Sequence, residues 1–355
     1  MAYTYKLDGV DISEYVSSQF SYSEEVSLIG EDTIRLPSFT IELWNYIGMF
    51  NKYSPNSMFY GSNPAEGIIK VYDELGFVRY TEKIRDWKYD RTTNKVSITS
   101  VNSLDSIFDK TFIYLTSGLT PAEHIRDILI LYDLKSYIDY HTFNNAIAIQ
   151  QTEGLLVDCN YYIDNTTTLI NAIQELAEMS GCDCFLAGNQ IKLLQHNPDE
   201  VIISEIEINY YAIQSLVLYD DSGNIKNQYG YTVNVGEGEY TIKDYEYSRT
   251  SRQKYGEQSY SSISLTNSSQ ITSIALAGLI DAGCKRLHRS QEPRDYLQIT
   301  IVNSLYKYPF QVMDYFKLET EVDNTIECNV SDYTWQILRI NFNESITEII
   351  AARCI

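Results

Sequence analysis

"IIKVYDELGFVRYTEKIRDWKYDRTTNKVSITSVNSLDSIFD", residues Ile68–Asp109, decides the first part of the fold. Its β-branched and aromatic residues form short runs, which Leu75-Gly76 and the polar turn Asp90–Lys95 interrupt. Such runs between turn residues read as a meander of three or four strands, because these side chains fit a half-buried pleated surface. Upstream, "YTYKLDGVDIS" places Asp8-Gly9 between two short runs, the signal of a tight hairpin. "SFTIELWNY" adds a further strand. The chain as a whole carries 31 Tyr, with abundant Ile, Thr, Ser and Val, and this composition extends the β-rich expectation beyond the meander.

Downstream the pattern changes. "TPAEHIRDILILY" offers Thr120 as an N-cap, Pro121 at the first helical position and Glu123 as the capping-box partner. Ile125, Ile128, Leu129 and Tyr132 then share one helical face. "TTTLINAIQELAEMSG" repeats the pattern with Leu169, Ile170, Ile173, Leu176 and Ala177, and stops at Gly181. "CDCFLAGNQIKLL" alternates on either side of an Ala-Gly-Asn turn and reads as a hairpin packed on that helix.

From about Ile206 the strands return. "NIKNQYGYTVNVGEGEYTIKDYEYSR" is strand-like, and a helix is expected over Ile271–Arg289. "PRDYLQITIVNSL", "DYFKLET", "WQILRINFN" and "TEIIAARCI" follow as four strands. The expected fold class is therefore mainly β with a small α+β insert. Its expected boundaries are 1–110 for a first β domain, 111–205 for the insert, and 206–355 for a second β domain with one packed helix. No tandem repeat is visible, although the two β blocks could be cousins.

The formal net charge of −21 opposes binding to phosphate backbones and anionic membrane surfaces. The opening residues lack a secretory signal, and no apolar run approaches the roughly 18 residues of a membrane span. The six cysteines are scattered, unlike a disulfide framework, and are expected to be reduced and mostly buried.

Candidate chemistry is thin. Cys182 and Cys184 lie one residue apart on one face of a strand, and His196 could join them. A structural zinc site needs four ligands, so this set stays one short. His124, His141, His196 and His288 are isolated, with no nucleophile-elbow or zinc-protease motif around them. Gly223, Gly230, Gly236 and Gly238 suggest a phosphate loop, but no helix and no Gly-Lys-Ser/Thr follows, so they read as turn glycines. Tyr229, Tyr231, Tyr240, Tyr245, Tyr247, Tyr255 and Tyr260 could stack sugars or bases, and cross-strand packing is the preferred reading. "SRQKYGEQS", Ser251–Ser259, sets Arg252 and Lys254 at a Tyr-Gly corner that could be a phosphate cradle, a sugar site or a structural corner.

The order of the C-terminal pieces carries a resemblance. Tyr255-Gly256, a helix with Ala275 and Gly278, Pro293-Arg294, "MDYFKL" (Met313–Leu318) and "WQILRI" (Trp335–Ile340) resemble the C-terminal half of phage tail hub, or baseplate hub, proteins. Leu169, Leu176, Ala177, Gly181 and Ile191 resemble the helix-hairpin unit of the same family. The likeness covers Thr166–Ile355; one departure is Met313, where the family has a small turn residue.

The resemblance implies two tail-tube-like β-barrel domains per chain. It implies a homotrimer whose ring matches a six-fold tail tube and joins it to a spike or tip. The partners so implied are the tail tube protein or distal tail ring, a spike or tail-tip protein, and the tape-measure protein. The place implied is the virion's tail tip or baseplate, after assembly in the host cytoplasm. An acidic channel wall would let DNA pass without holding it, so neither tight nucleic-acid binding nor stable membrane insertion is expected. The expected role is structural rather than enzymatic, with no catalytic, cofactor or metal residue assigned and no cofactor. The alternative is a carbohydrate-binding or glycan-degrading β-rich tail-tip protein, which would need paired carboxylates in an aromatic-lined cleft.

Overall fold

A computed structural model of the protein describes residues 3–18, 21–26, 34, 38–72, 76, 78–102, 104–152, 159–188, 190–195, 206–220, 225–235, 240–258, 263–265, 280, 284, 291–304, 310–320, 322, 329–343 and 345–354. It is mainly β, with two curled half-barrel sheets on either side of a small α+β unit.

The first sheet holds β1 (Thr4–Leu7), β2 (Val10–Asp11), β4 (Ser38–Trp44), β5 (Ile68–Tyr72), β6 (Val78–Asp90) and β7 (Lys95–Val101), in the antiparallel order β2-β1-β5-β6-β7-β4. The β1–β2 turn uses Asp8 at φ +49° and Gly9 at φ +85°, the two left-handed residues that a type I′ turn requires. Asp8 is held there by accepting the Ile68 N–H at 2.8 Å. The alternating residues Phe39, Ile41, Leu43, Val96 and Ile98 turn inward and are buried. A bulge between Ile84 and Asp86 bends the long β6. The chain leaving β2 crosses to the far edge, where Val16 bridges Leu43 and Ser17 N–H reaches Glu42 O at 2.8 Å.

The intervening strand, β3 (Ser21–Glu25), belongs elsewhere: it pairs with a strand near the C-terminus.

The middle unit comprises α1 (Asp105–Phe108), β8 (Thr111–Leu119), α2 (Pro121–Leu131), α3 (Tyr140–Thr152), β9 (Cys159–Thr168), α4 (Leu169–Ser180), β10 (Cys182–Ala187) and β11 (Gln190–Gln195). Thr120 and Glu123 close the capping box at α2, and Ile125, Ile128 and Leu129 are fully buried beneath it. Helix α4 runs from the Thr168 cap to Gly181, which adopts the left-handed C-cap at φ +68°. The β10–β11 hairpin packs on it as expected.

Helix α3 had no counterpart in the sequence reading. Its buried residues Phe143, Ala146, Ile147 and Gln150 do follow helical spacing. Gln150 is polar, and it is buried only because Ala122 N–H, Cys182 and Gln195 satisfy it.

The second large sheet runs β12-β18-β19-β20-β17-β13. Its strands are β12 (Ile206–Ile208), β13 (Ile213–Asp220), β17 (Asp295–Val302), β18 (Tyr315–Leu318), β19 (Trp335–Asn343) and β20 (Ile346–Arg353). All pairs are antiparallel except β12 with β18. A bulge between Ile337 and Arg339 bends β19, as in β6. Beyond it, Arg339–Asn343 pair with β3, on the same edge that Trp335 and Gln336 share with β18.

A small separate sheet is formed by β14 (Gln228–Val235), β15 (Tyr240–Tyr247) and β16 (Ile263–Leu265), with the short helix α5 (Arg249–Tyr255) after β15. Of the helix expected over 271–289, only Ile280 and Cys284 lie within the described residues, and both are helical.

Candidate functional site

The cysteine pair is part of a core. Cys182 donates its thiol to Gln195 Oε1 at 2.8 Å and accepts from Gln150 Nε2 at 3.3 Å. Desolvation, with smaller contributions from Cys182 and Asp183, pushes the Cys184 thiol well above its ordinary range. His196 lies outside the described residues, among which no group of metal-ligating side chains is found.

His124, on the buried face of α2, has Nδ1 3.0 Å from the Tyr114 hydroxyl and its ring against Tyr161. His141 stands at the start of α3, where its N–H binds Asp139 Oδ1 at 3.0 Å. His288 lies outside the described residues, as do Gly223, Gly236, Gly238 and Tyr260. Gly230 sits in β14 opposite Tyr245. Tyr229, Tyr231 and Tyr240 likewise occupy paired positions of the β14–β15 ribbon.

The Tyr-Gly corner resolves into a capped helix end. Ser248 caps α5, and Gly256 follows at φ +77°. Beneath it, buried Asn227 donates to Ser251 Oγ at 3.2 Å and Gly256 O at 2.7 Å, and accepts the Gln258 N–H at 2.9 Å. Ser251 donates onward to Gln291 O. The cations are already engaged: Arg252 pairs with Glu257 at 2.6 Å and covers Tyr247, and Lys254 pairs with Glu292 at 3.2 Å. Tyr255 donates to the same Glu292 oxygen at 2.9 Å. Glu257 and Glu292 thus engage both cations and the tyrosine hydroxyl, as in a hydrogen-bonded structural turn. Asn227 left no sequence signal, since a polar residue before a strand has many ordinary explanations.

The most constrained polar place is the seam where β3 enters the second large sheet. Tyr22 packs edge-on against Tyr80 of the first sheet and stacks on Phe342 of β19. Its hydroxyl donates to the buried Glu24 carboxylate, which also accepts Gly188 N–H at 3.4 Å from the β10–β11 turn. Burial raises the Glu24 carboxyl above the ordinary range; its hydrogen bonds and Lys192 oppose that rise without cancelling it. Lys192 donates to Gln311 Oε1 at 2.8 Å and stands 3.9 Å from Asp139. Burial likewise raises Asp314, against the bond from Gln311 N–H and the Lys192 charge. Gly188, at φ +57°, holds a conformation that side chains rarely adopt, and a Cβ there would push Gln311 Nε2, 2.8 Å away, off its place beside Lys192.

The neighbouring turn explains Met313. It adopts φ +71°, a conformation that normally favours glycine, while its side chain stays buried in the second core. Met313 N–H to Ile337 O at 2.7 Å and Ile337 N–H to Asp314 O at 2.9 Å tie the turn to β19. First sheet, hairpin and second sheet therefore meet around one small polar cluster, an arrangement suited to fixing their mutual orientation.

No protein-family model matches the chain. No curated protein matches it either. Solved structures do. A tail protein from Neisseria meningitidis aligns over 99% of this chain and 97% of its own, with 10% identity and a TM-score of 0.63. The 43 kDa tail protein of prophage MuSo2 from Shewanella oneidensis covers 99% and 97%, with 12% identity and a TM-score of 0.55. An Escherichia coli component of the type VI secretion system, described as structurally similar to the T4 bacteriophage tail proteins gp27 and gp5, covers 99% of this chain and 77% of its own, with 8% identity and a TM-score of 0.52. At these identities the likeness is one of fold, and it extends from end to end of the chain.

Proposed function

We propose that this chain is a structural hub protein of a phage tail or a related injection machine. In this reading three copies form a ring, the two curled sheets of each chain supply six tube-like units, and the ring joins a six-fold tail tube to the spike or tip. The two tube-like units are assigned to 1–110 and 206–355, with β3 lent from the first range to the second sheet, and 111–205 is the insert between them. The observation that carries the reading is the pairing of two curled, bulged sheets in one chain, in a fold shared along 99% of its length with tail proteins.

The charge supports a role as conduit: a wall drawn from a −21 chain repels DNA in transit. The buried carboxylates Glu24 and Glu82 are enclosed by Tyr22 and Asn102, an arrangement that serves packing rather than glycan cleavage. The tail tube protein, spike and tape-measure protein are the expected contacts.

Light scattering after gel filtration, with negative-stain imaging, tests the reading. A mass near three chains and ring-shaped particles are expected. A monomer that cleaves or binds polysaccharide would replace the hub with the glycan-active alternative.

A further inference from the structure

We infer that the long loop between β4 and β5 is a self-association surface that docks onto a second copy of this chain. The inference depends on the ring reading above and names the surface through which copies would touch.

The loop is anchored on its inner side. Phe50 and Phe59 are buried, Asn45 Oδ1 accepts the Phe50 N–H at 2.9 Å, and Trp87 donates its indole N–H to Phe50 O at 2.9 Å. Its outer side is apolar and exposed: Ile47 is 86% exposed, Tyr53 76% and Tyr46 56%. Ile47 also sits at φ +48°, ψ +24°. A β-branched residue in the left-handed region is disfavoured, and among the described residues no packing compensates for it. Gly48, at φ +75°, lets the turn close, because a Cβ there would lie 2.5 Å from Ser54 Oγ. The turn thus holds a bare isoleucine out into solvent in a strained conformation.

Charge identifies the occupant. The chain has 48 acidic residues against 27 basic ones, yet residues 43–65 contain no Asp or Glu and include Lys52. Lys52 lies over the rings of Tyr53 at 5.2 Å and Trp87 at 5.6 Å, and no carboxylate pairs with it among the described residues. Two copies of so acidic a chain repel one another wherever carboxylates face. A loop without acids of its own, bearing tyrosines and a lysine, is where a second copy can approach and where its acidic surface is complementary; Glu14, bonded to Tyr15 beside Tyr46, is an acid at its margin. A ring closes by head-to-tail contact, so the loop of one copy meets a different face of the next.

The test uses the full chain in sedimentation velocity over a concentration series. Wild type should sediment as a trimer. Ile47→Asp with Tyr53→Asp should weaken association at least tenfold, while Tyr211→Asp, at another exposed tyrosine, should leave it unchanged. Ile47→Gly separates interface from fold, because it relieves the strained backbone and removes the docking side chain. It should raise the Tm of the monomer while weakening association. A trimer that persists unchanged in both Ile47 variants overturns the inference and leaves the ring reading standing. A wild-type chain that stays monomeric at every concentration overturns the ring reading, and the inference with it.

Discussion

The two curled sheets share a design and differ in how they close. Each is bent at a bulge in its longest strand, β6 in one and β19 in the other, and each buries one face of alternating apolar residues. The first closes on itself, through Val16 and Ser17 on the β4 edge. The second is completed by β3, a strand taken from the N-terminal part of the chain. An antiparallel pair spanning more than 300 residues of sequence ties the N-terminal part of the chain to the second sheet, which cannot lose β3 without exposing the β19 edge. In the proposed ring, such a seam would set the spacing of the two sheets.

The largest expected effect therefore lies in the seam. Tyr22→Ala removes an aromatic side chain packed against both Tyr80 and Phe342 and should cost about 4 kcal/mol. Leu7→Ala, buried only in the first core, is the control. In denaturant titrations followed by hydrogen exchange, Tyr22→Ala should lower protection in both sheets, and Leu7→Ala chiefly in the first. Equal confinement of the two variants would break the comparison.

Thr120→Ala comes next. It deletes the capping box of α2 and should cost about 1 kcal/mol, read as a drop in Tm. The loss should fall within the middle unit, with protection of β3 and β19 unchanged.

Glu24→Gln sharpens the seam by its pH dependence. The Glu24 carboxyl is raised by burial, so the folded state favours its neutral form. That contribution is fully present below the ordinary carboxylate pKa and is lost as pH rises through the folded value. The wild-type Tm should thus fall, relative to the variant, as pH climbs out of the carboxylate range. Asp314, raised in the same direction, leaves a residual slope in the variant. Parallel Tm-against-pH curves would show that Glu24 carries no such load.

Asp133→Gly is the smallest effect. Asp133 follows the end of α2 at φ +57° and puts a negative charge near the helix C-terminus. Glycine should stabilise the protein by about 0.5 kcal/mol, as a small rise in Tm with no change in association.

Much of this was legible in local sequence because the determinants act over a few residues. The Asp8-Gly9 turn, the Thr120–Glu123 box, the Gly181 stop and the four C-terminal strands each follow from side chains close to the backbone they shape. Helix α3 was missed because a buried Gln150 blurs its apolar stripe, and α5 because its seven residues carry mainly polar side chains. The candidate site was legible only in outline: the Tyr255-Gly256 corner could be located, but not the Asn227 hub beneath it, since its partners come from positions 24 to 31 residues away. Glu24 looked like one acid among 48. Its burial comes from Tyr22, Gly188 and the turn before β18, which meet only after all three units fold. Sequence alone thus determined the strands, caps and turns, whose energetics are local. Tertiary structure decided where β3 goes and which charges are buried, because strand pairing and desolvation depend on partners far away along the chain.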